Sequence, residues 1–208
     1  NAGVATFGPI ATSTAKDWEF TMSVNFWGVV HGVQSFVPRL IAGFQKDNPD
    51  IRIDLFIGNR QETINALRHR DVDMALMGRP PRDIDVNAQV FGDHPLVIIA
   101  QPDHRLARMR DIPKEELVAE HFLLREKGSG TRTSLELFFA DVPSKFDTLG
   151  TEMGSNETIK QAVMAGLGIA FLSAHTIEQE IQLGKLVILD VIGMPIRRQW
   201  FMISRRDR

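Results

Sequence analysis

The chain contains no cysteine and no tyrosine. The first absence removes disulfides, thiolate nucleophiles and cysteine-ligated zinc. The second removes every mechanism that needs a phenolic acid or base. The six histidines, His31, His69, His94, His104, His121 and His175, show neither HxxxH nor HExxH spacing, so no metal and no cofactor is expected. Long apolar runs are also lacking: the longest are a handful of residues, where a spanning helix needs about 20. No basic-then-apolar leader opens the chain, and a cytoplasmic protein without membrane association is expected. Charge of one sign is equally scarce. Twenty-four basic against 26 acidic side chains leave a net charge of −2, without the uniform positive field that attracts a phosphate backbone, so no direct contact with DNA is expected.

What is present is an ordinary globular composition. The 208 residues are 43% hydrophobic and 24% charged, enough for one or two cored domains of about 100 residues each. The first forty residues differ in style, with only four charged side chains, Lys16, Asp17, Glu19 and Arg39. In that stretch Trp18, Met22, Phe26, Val29, Val33, Phe36 and Val37 recur at three- and four-residue steps, which predicts a long helix over 17–37 with a wide apolar face. Ser13 or Thr14, with Asp17, signals its start, and Gly28, Gly32 and Pro38 weaken its second half. So apolar a helix must be buried or pair with another copy of itself, through Trp18, Phe26, Trp27 and Val30.

From residue 41 the order of elements is regular. Strand 51–58, a helix from about 61 to 70 and strand 72–78 read as a βαβ unit, which predicts a parallel sheet covered by helices. A turn at Arg79, Pro80 and Pro81 precedes a second βα module: strand 91–100, a loop, helix 114–120, strand 121–126, a Gly-Ser-Gly turn and helix 131–140. The remainder reads as strand, capped helix, glycine-rich stop, strand and helix, with strands at 185–192 and 197–206 last. No repeat or flexible linker interrupts it.

Three loops share one property, small polar residues or free backbone N–H groups at a helix start, where unpaired donors and the helix dipole favour an anion. They are Gly58-Asn59-Arg60, then Lys127-Gly128-Ser129-Gly130-Thr131-Arg132, then Ser155-Asn156-Glu157-Thr158, in which Ser155 or Asn156 caps the helix. One such loop is ordinarily just a cap or a turn. In an open α/β sheet, loops at the carboxyl ends of strands converge on a crevice, so three in one chain point to a small-molecule site. Arg79, directly after strand 72–78, is the best single anion contact. Catalytic signatures are weak: there is no GxSxG elbow, no P-loop and no GxGxxG after a strand. Asp71 and Asp73 read as solvated or capping acids, and His94 and His104, beside prolines, as turn residues. No enzyme is expected.

Residues from about 36 to 208 resemble the effector-binding domain of LysR-type transcriptional regulators, specifically those of the CbbR type that control carbon-fixation genes. The strings that carry the resemblance are PRLIAGFQKDNPDIRIDL, GNRQETINALRHRDVDMALMGRPPRD, FGDHPLVIIAQPDHRLA, LLREKGSGTR, SNETIKQAVMAGLGIAFLSAHT and RRQWFMISRRDR. The resemblance implies an α/β fold of two Rossmann-like βα subdomains joined by crossing strands, like a type II periplasmic binding protein, with the effector in the cleft. It divides the chain into subdomain I, 42–95 with 194–208, and subdomain II, 96–193. It also implies a non-catalytic sensor of a small anionic metabolite, a phosphorylated sugar or a nicotinamide nucleotide. The effector contacts carried over are Asn59, Arg79, Ser129, Thr131, Arg132, Asn156 and Thr158, with Arg60 as a further possibility. The family's winged helix-turn-helix and usual last helix are expected to be missing.

Residues 1–41 resemble something else. NAGV, then DWE, then VNFWGVVHGVQSFVPRLI are similar to the central part of a short-chain dehydrogenase/reductase, including the long helix that family uses for dimer packing, with Asn25 at its active-site asparagine. The Tyr-x-x-x-Lys pair cannot exist in a chain without tyrosine, so dehydrogenase chemistry is excluded. The two resemblances meet at FVPRLIA, and the chain is expected to be a chimera carrying an N-terminal reductase-like helix and forming a homodimer. Ser13 and Thr14 then stand where the family's first effector-touching loop is lost. The alternative is a purely structural chimera that binds no ligand. The missing first strand is supplied by 4–10, by another protomer, or by nothing.

Overall fold

The computed structural model describes residues 2–7, 46–50, 53–142 and 150–206. Helix 17–37, with Ser13, Thr14 and Asn25, lies outside them. The chain folds as two compact units, residues 1–93 with 199–208, and residues 94–198. Two strands, β4 (Val86–Ala100) and β9 (Ile196–Arg205), each run from one unit into the other.

In the first unit β2 (Ile53–Gly58) leads into α1 (Arg60–His69) and then β3 (Met74–Met77). The helix begins where Asn59 caps it and stops at Arg70, whose left-handed backbone (φ 64°) lets the N–H of Asp71 return to the Ala66 carbonyl at 2.9 Å. Its face of Ile64, Ala66 and Leu67 buries against Val72, Ala75, Met77 and Ile203. The expected parallel sheet is corrected here. Strands β2 and β3 are not neighbours, because β1 (Ala2–Phe7) lies between them and runs antiparallel to both. The crossover through α1 leaves a gap one strand wide, and the backbone groups on both sides of it pair with β1. Ala2–Phe7 thus occupies the place of the first strand.

The second unit is built on β4, β7 (Ile169–Ser173), β5 (Phe122–Arg125) and β6 (Gly150–Met153), hydrogen-bonded in that order. Strand β5 runs parallel to both β6 and β7, and β4 antiparallel to β7. Helix α2 (Lys114–Leu117) precedes β5, α3 (Gly130–Phe138) follows it, α4 (Asn156–Met164) follows β6 and α5 (Glu178–Gln182) follows β7. Alternation along each strand divides the core in two. Leu96, Ile98, Phe122, Leu124, Ile169 and Phe171 face Leu135 and Phe139 of α3. Val97, Ile99, Leu123, Ala170 and Leu172 face Ile159, Ala162 and Val163 of α4. Of the expected strand 185–192 only β8 (Val187–Ile188) forms, beside β4, and Val191 makes one further bridge to Ile112.

Glycine is required before β7. Gly168 has φ +155°, and a Cβ there would stand 2.2 Å from the His121 carbonyl oxygen, the same oxygen that accepts the Ile169 N–H at 2.9 Å. Among the described residues no helix is long and apolar enough to cross a membrane.

Candidate functional site

Parallel strands followed by helices place the N-termini of α3 and α4, which follow β5 and β6, at the carboxyl edge of the second unit's sheet. The three helix starts singled out in the sequence are nevertheless different sites.

At α1 the Asn59 side chain accepts the N–H groups of Gln61 (2.9 Å) and Glu62 (3.0 Å), and the Glu62 carboxylate accepts the Asn59 N–H at 2.7 Å. This is a closed capping box with an acid already at the helix start. Arg60 is drawn over the loop beyond β3, donating to the carbonyls of Arg79 and Pro80. Arg79 itself is exposed, and its guanidinium has no partner among the described residues.

At α4 Ser155 is the cap: its Oγ accepts the Thr158 N–H at 3.1 Å and lies 2.8 Å from the Thr158 hydroxyl. Glu157 stands in the first turn. Asn156 is buried, and its Oδ1 accepts from Arg125.

At α3 the cap position is Ser129, and it makes no side-chain cap bond. The first turn carries no acid. Ser129 and Thr131 are buried at 2% and 9% exposure, and among the described residues neither hydroxyl finds a partner. Arg132, expected as a ligand contact, is committed elsewhere. Its Nε donates to Glu136 at 2.9 Å, and its Nη1 donates to Glu152 at 3.0 Å and to the Arg125 carbonyl at 3.1 Å.

Beneath these helix starts lie charged and polar side chains that no motif marks. On the α4 face, Arg125 continues the parity of Leu123 at the end of β5. Its side chain is 2% exposed and forks onto the Glu126 carboxylate at 2.7 and 2.8 Å. Burial would raise the Glu126 pKa, but the Arg125 hydrogen bonds and charge outweigh it and hold the carboxyl below its ordinary range.

On the α3 face, the stripes of three adjacent strands turn polar together. Ile196 is followed two residues on by Arg198, Leu96 is preceded by His94, and Phe171 is followed by Ser173. Strands β9, β4 and β7 are consecutive in the sheet, and Leu96 is directly opposite Ser173. Arg198 donates to the Gly130 carbonyl at 3.3 Å and to Ser134 Oγ, which fixes it under the first turn of α3. The expectation that His94 is a turn residue is corrected. It lies inside β4 at 7% exposure, and burial, together with the positive field of Arg198 and His175, pushes its pKa down to about 3. His104 does sit at a turn, where its Nδ1 accepts the Leu106 N–H at 3.3 Å. The signal for the missed residues was parity: each falls two positions beyond a core residue, where an apolar stripe ends.

Two α/β units with strands running from one into the other, and a helix start left uncapped above Arg198, define a class of ligand-binding α/β domains. Comparison narrows it. The family model for the LysR substrate binding domain matches residues 28–208, and the chain belongs to that family. It is 63% identical over 181 residues to the transcriptional regulator CbbR of Sinorhizobium medicae and to that of Rhizobium meliloti, covering 87% of this chain and 58% of each relative. The chain therefore spans less than three-fifths of the length of those relatives. Among solved structures, the regulatory domain of CcmR from Synechocystis, in complex with 2-PG, is 37% identical, with a TM-score of 0.74 over 83% of both chains. The effector-binding domain of QuiR, in complex with shikimate, is 16% identical, with a TM-score of 0.67 over 86% of this chain and 84% of its own, and shows the fold alone. The chain is thus an effector-binding domain of a LysR-type regulator of the CbbR kind, and its relatives are transcriptional regulators.

Proposed function

We propose that this domain senses a small phosphorylated acid of the 2-phosphoglycolate type, and that the phosphate is held at the N-terminus of α3. One contrast carries the reading. The starts of α1 and α4 are closed by their own caps, Asn59 and Ser155, with Glu62 and Glu157 in their first turns, whereas α3 has neither cap bond nor acid. The N–H groups of Gly130, Thr131 and Arg132, with the hydroxyls of Ser129 and Thr131, make a set of donors suited to phosphate oxygens. The relative of known structure that is 37% identical carries 2-PG, which supports a phosphorylated acid over a bulkier nicotinamide nucleotide. On this reading Arg132 and Asn156 hold the site together through Glu152 and Arg125, Thr158 belongs to the α4 cap and Asn59 to the α1 cap, and Arg60 sets the Arg79 loop.

The wider reading is a cytoplasmic regulator that acts as a homodimer. Metabolite binding shifts the population of two domain states and so the output of a DNA-binding region. The family match begins at residue 28, inside the stretch 1–41 that resembles a reductase, so the chimeric start in this reading is confined to the residues before it, and a chain without tyrosine gives that start no dehydrogenase chemistry. Sedimentation velocity tests the dimer.

A thermal-shift and calorimetric titration with 2-phosphoglycolate, a phosphorylated sugar and NADPH tests the site. Ligand at tenfold its Kd stabilises the folded chain by about 1.4 kcal/mol. Thr131→Ala and Ser129→Ala are expected to abolish the effect of 2-phosphoglycolate without lowering the melting temperature of the free domain. No shift with any phosphorylated compound removes the reading and leaves the structural chimera.

A further inference from the structure

The floor under α3 contains a buried donor that the folded chain leaves unused. Ser173 is 5% exposed, and its Oγ has no hydrogen-bond partner among the described residues. It is also formally the cap of the short 3₁₀ turn Ala174–Ile177, yet makes no cap bond there. A buried hydroxyl with nothing to bind costs about 1–3 kcal/mol, so an acceptor placed over Ser173 would recover that cost.

Its surroundings say what would fit. Ser173 ends β7 at the carboxyl edge shared with β5 and lies on the face that α3 covers, because it continues the parity of Phe171. Directly opposite Ser173 is Leu96, and two residues before it on β4 is His94, a buried imidazole on the same face. Arg198, next along the sheet, donates to the Gly130 carbonyl of the first α3 turn and supplies positive charge to both. A hydroxyl donor, an imidazole and a nearby guanidinium form a small cationic recess whose natural complement is a planar carboxylate.

We propose that Ser173, His94 and Arg198 form a carboxylate subsite continuous with the α3 N-terminus, so that the domain selects a two-headed anion: phosphate on the donors at Ser129–Thr131, carboxylate over Ser173. This rests on the phosphate reading above and adds to it the feature that separates a phosphorylated acid from a phosphorylated alcohol. Ser173 donates to one carboxylate oxygen, and neutral His94 contributes its N–H to the pair. Arg198, already anchored on α3, ties the two subsites into one rigid frame. A ligand with the phosphate alone leaves the Ser173 hydroxyl unfilled.

The test is calorimetric titration of the chain and three variants with 2-phosphoglycolate, with methyl phosphate, which keeps the phosphate and lacks the carboxylate, and with glycolate. The wild-type chain is expected to prefer 2-phosphoglycolate over methyl phosphate by tenfold or more. Ser173→Ala should cut that preference at least fivefold while leaving methyl phosphate binding within twofold of wild type. His94→Gln should act in the same direction, and Thr131→Ala should weaken both phosphates by the same factor. Equal loss of both ligands in Ser173→Ala, or no change in either, overturns the subsite. Methyl phosphate and 2-phosphoglycolate binding equally to the wild-type chain removes the subsite but leaves the phosphate site standing. Binding of neither removes both.

Discussion

Lowering the pH should destabilise this domain through His94. Burial first, then the fields of Arg198 and His175, bring the imidazole pKa from 6.5 to about 3. The sign follows from linkage. In the unfolded chain His94 takes up a proton below about pH 6.5, whereas in the folded chain it stays neutral down to about pH 3. The unfolded state thus binds more protons across that window, and stability falls as the pH falls. At pH 7.5 the contribution is close to nil. At pH 5 the unfolded side chain is almost wholly protonated and the folded one is not, a difference of about 2 kcal/mol, saturating near 5 kcal/mol below pH 3. Urea unfolding of the wild-type chain and of His94→Gln at pH 7.5 and 5.0 measures it. The wild-type chain should lose about 2 kcal/mol more than the variant over that interval, whatever the variant costs at pH 7.5. Parallel losses, within about 0.5 kcal/mol, would refute the claim that the folded domain excludes the proton from this side chain.

Three further outcomes follow from particular contacts. Gly168→Ala should cost more than about 2 kcal/mol, measured by urea midpoint, because the new methyl meets the His121 carbonyl at a backbone angle that alanine resists. Lys160 is 4% exposed, and its Nζ bridges Glu157 and Glu180, both at 2.8 Å. Burial pulls its pKa down, but the two carboxylates more than offset this and hold it raised, so the bridge persists to alkaline pH and fails only as the pH passes the raised value. Lys160→Met should therefore lower stability by about 3 kcal/mol at neutral pH, leaving the half-buried Glu180 without its counter-charge. Asn59→Ala should cost about 1 kcal/mol through loss of the α1 cap and should leave the affinity for methyl phosphate unchanged if α3 alone holds the phosphate.

The elements legible in the sequence are those whose signal is local. The caps of α1 and α4, the helices over Ile64–Leu67 and Ile159–Val163, and the paired stripes of Phe122 with Leu124 and of Ile169 with Phe171 follow from periodicity and capping alone. What stayed hidden depends on pairing. That Ala2–Phe7 separates β2 from β3 is a matter of hydrogen-bond partners, which no window of a dozen residues records. The helix starts looked equivalent because Asn59, Ser129 and Ser155 are all good caps by type. Only the folded backbone shows that Ser129 is not used as one. His94 was assigned to a turn because Pro95 follows it, yet β4 carries the proline without breaking, as strands do where a ladder bond is not needed on that side.

The arrangement of charge explains why the site sits over this face. Among the described residues five cations, Lys114, Arg125, Arg132, Lys160 and Arg198, lie buried or half-buried within one unit of a chain whose net charge is only −2. Lys114 pairs with Asp141, Arg125 with Glu126, Arg132 with Glu136 and Glu152, and Lys160 with Glu157 and Glu180. Each of these pairs straddles two elements or stiffens one, so it serves the fold and leaves little field for a ligand. Arg198 donates to the Gly130 carbonyl and the Ser134 hydroxyl of α3. Those bonds hold its positive charge at the start of that helix, at the positive end of its dipole. If that placement sets anion affinity, Arg198→Gln should weaken 2-phosphoglycolate binding at least tenfold, whereas Glu126→Gln, which releases the Arg125 charge on the opposite face, should strengthen it by less than threefold. The reverse ranking would place the anion on the α4 face, beside Asn156, and not under α3.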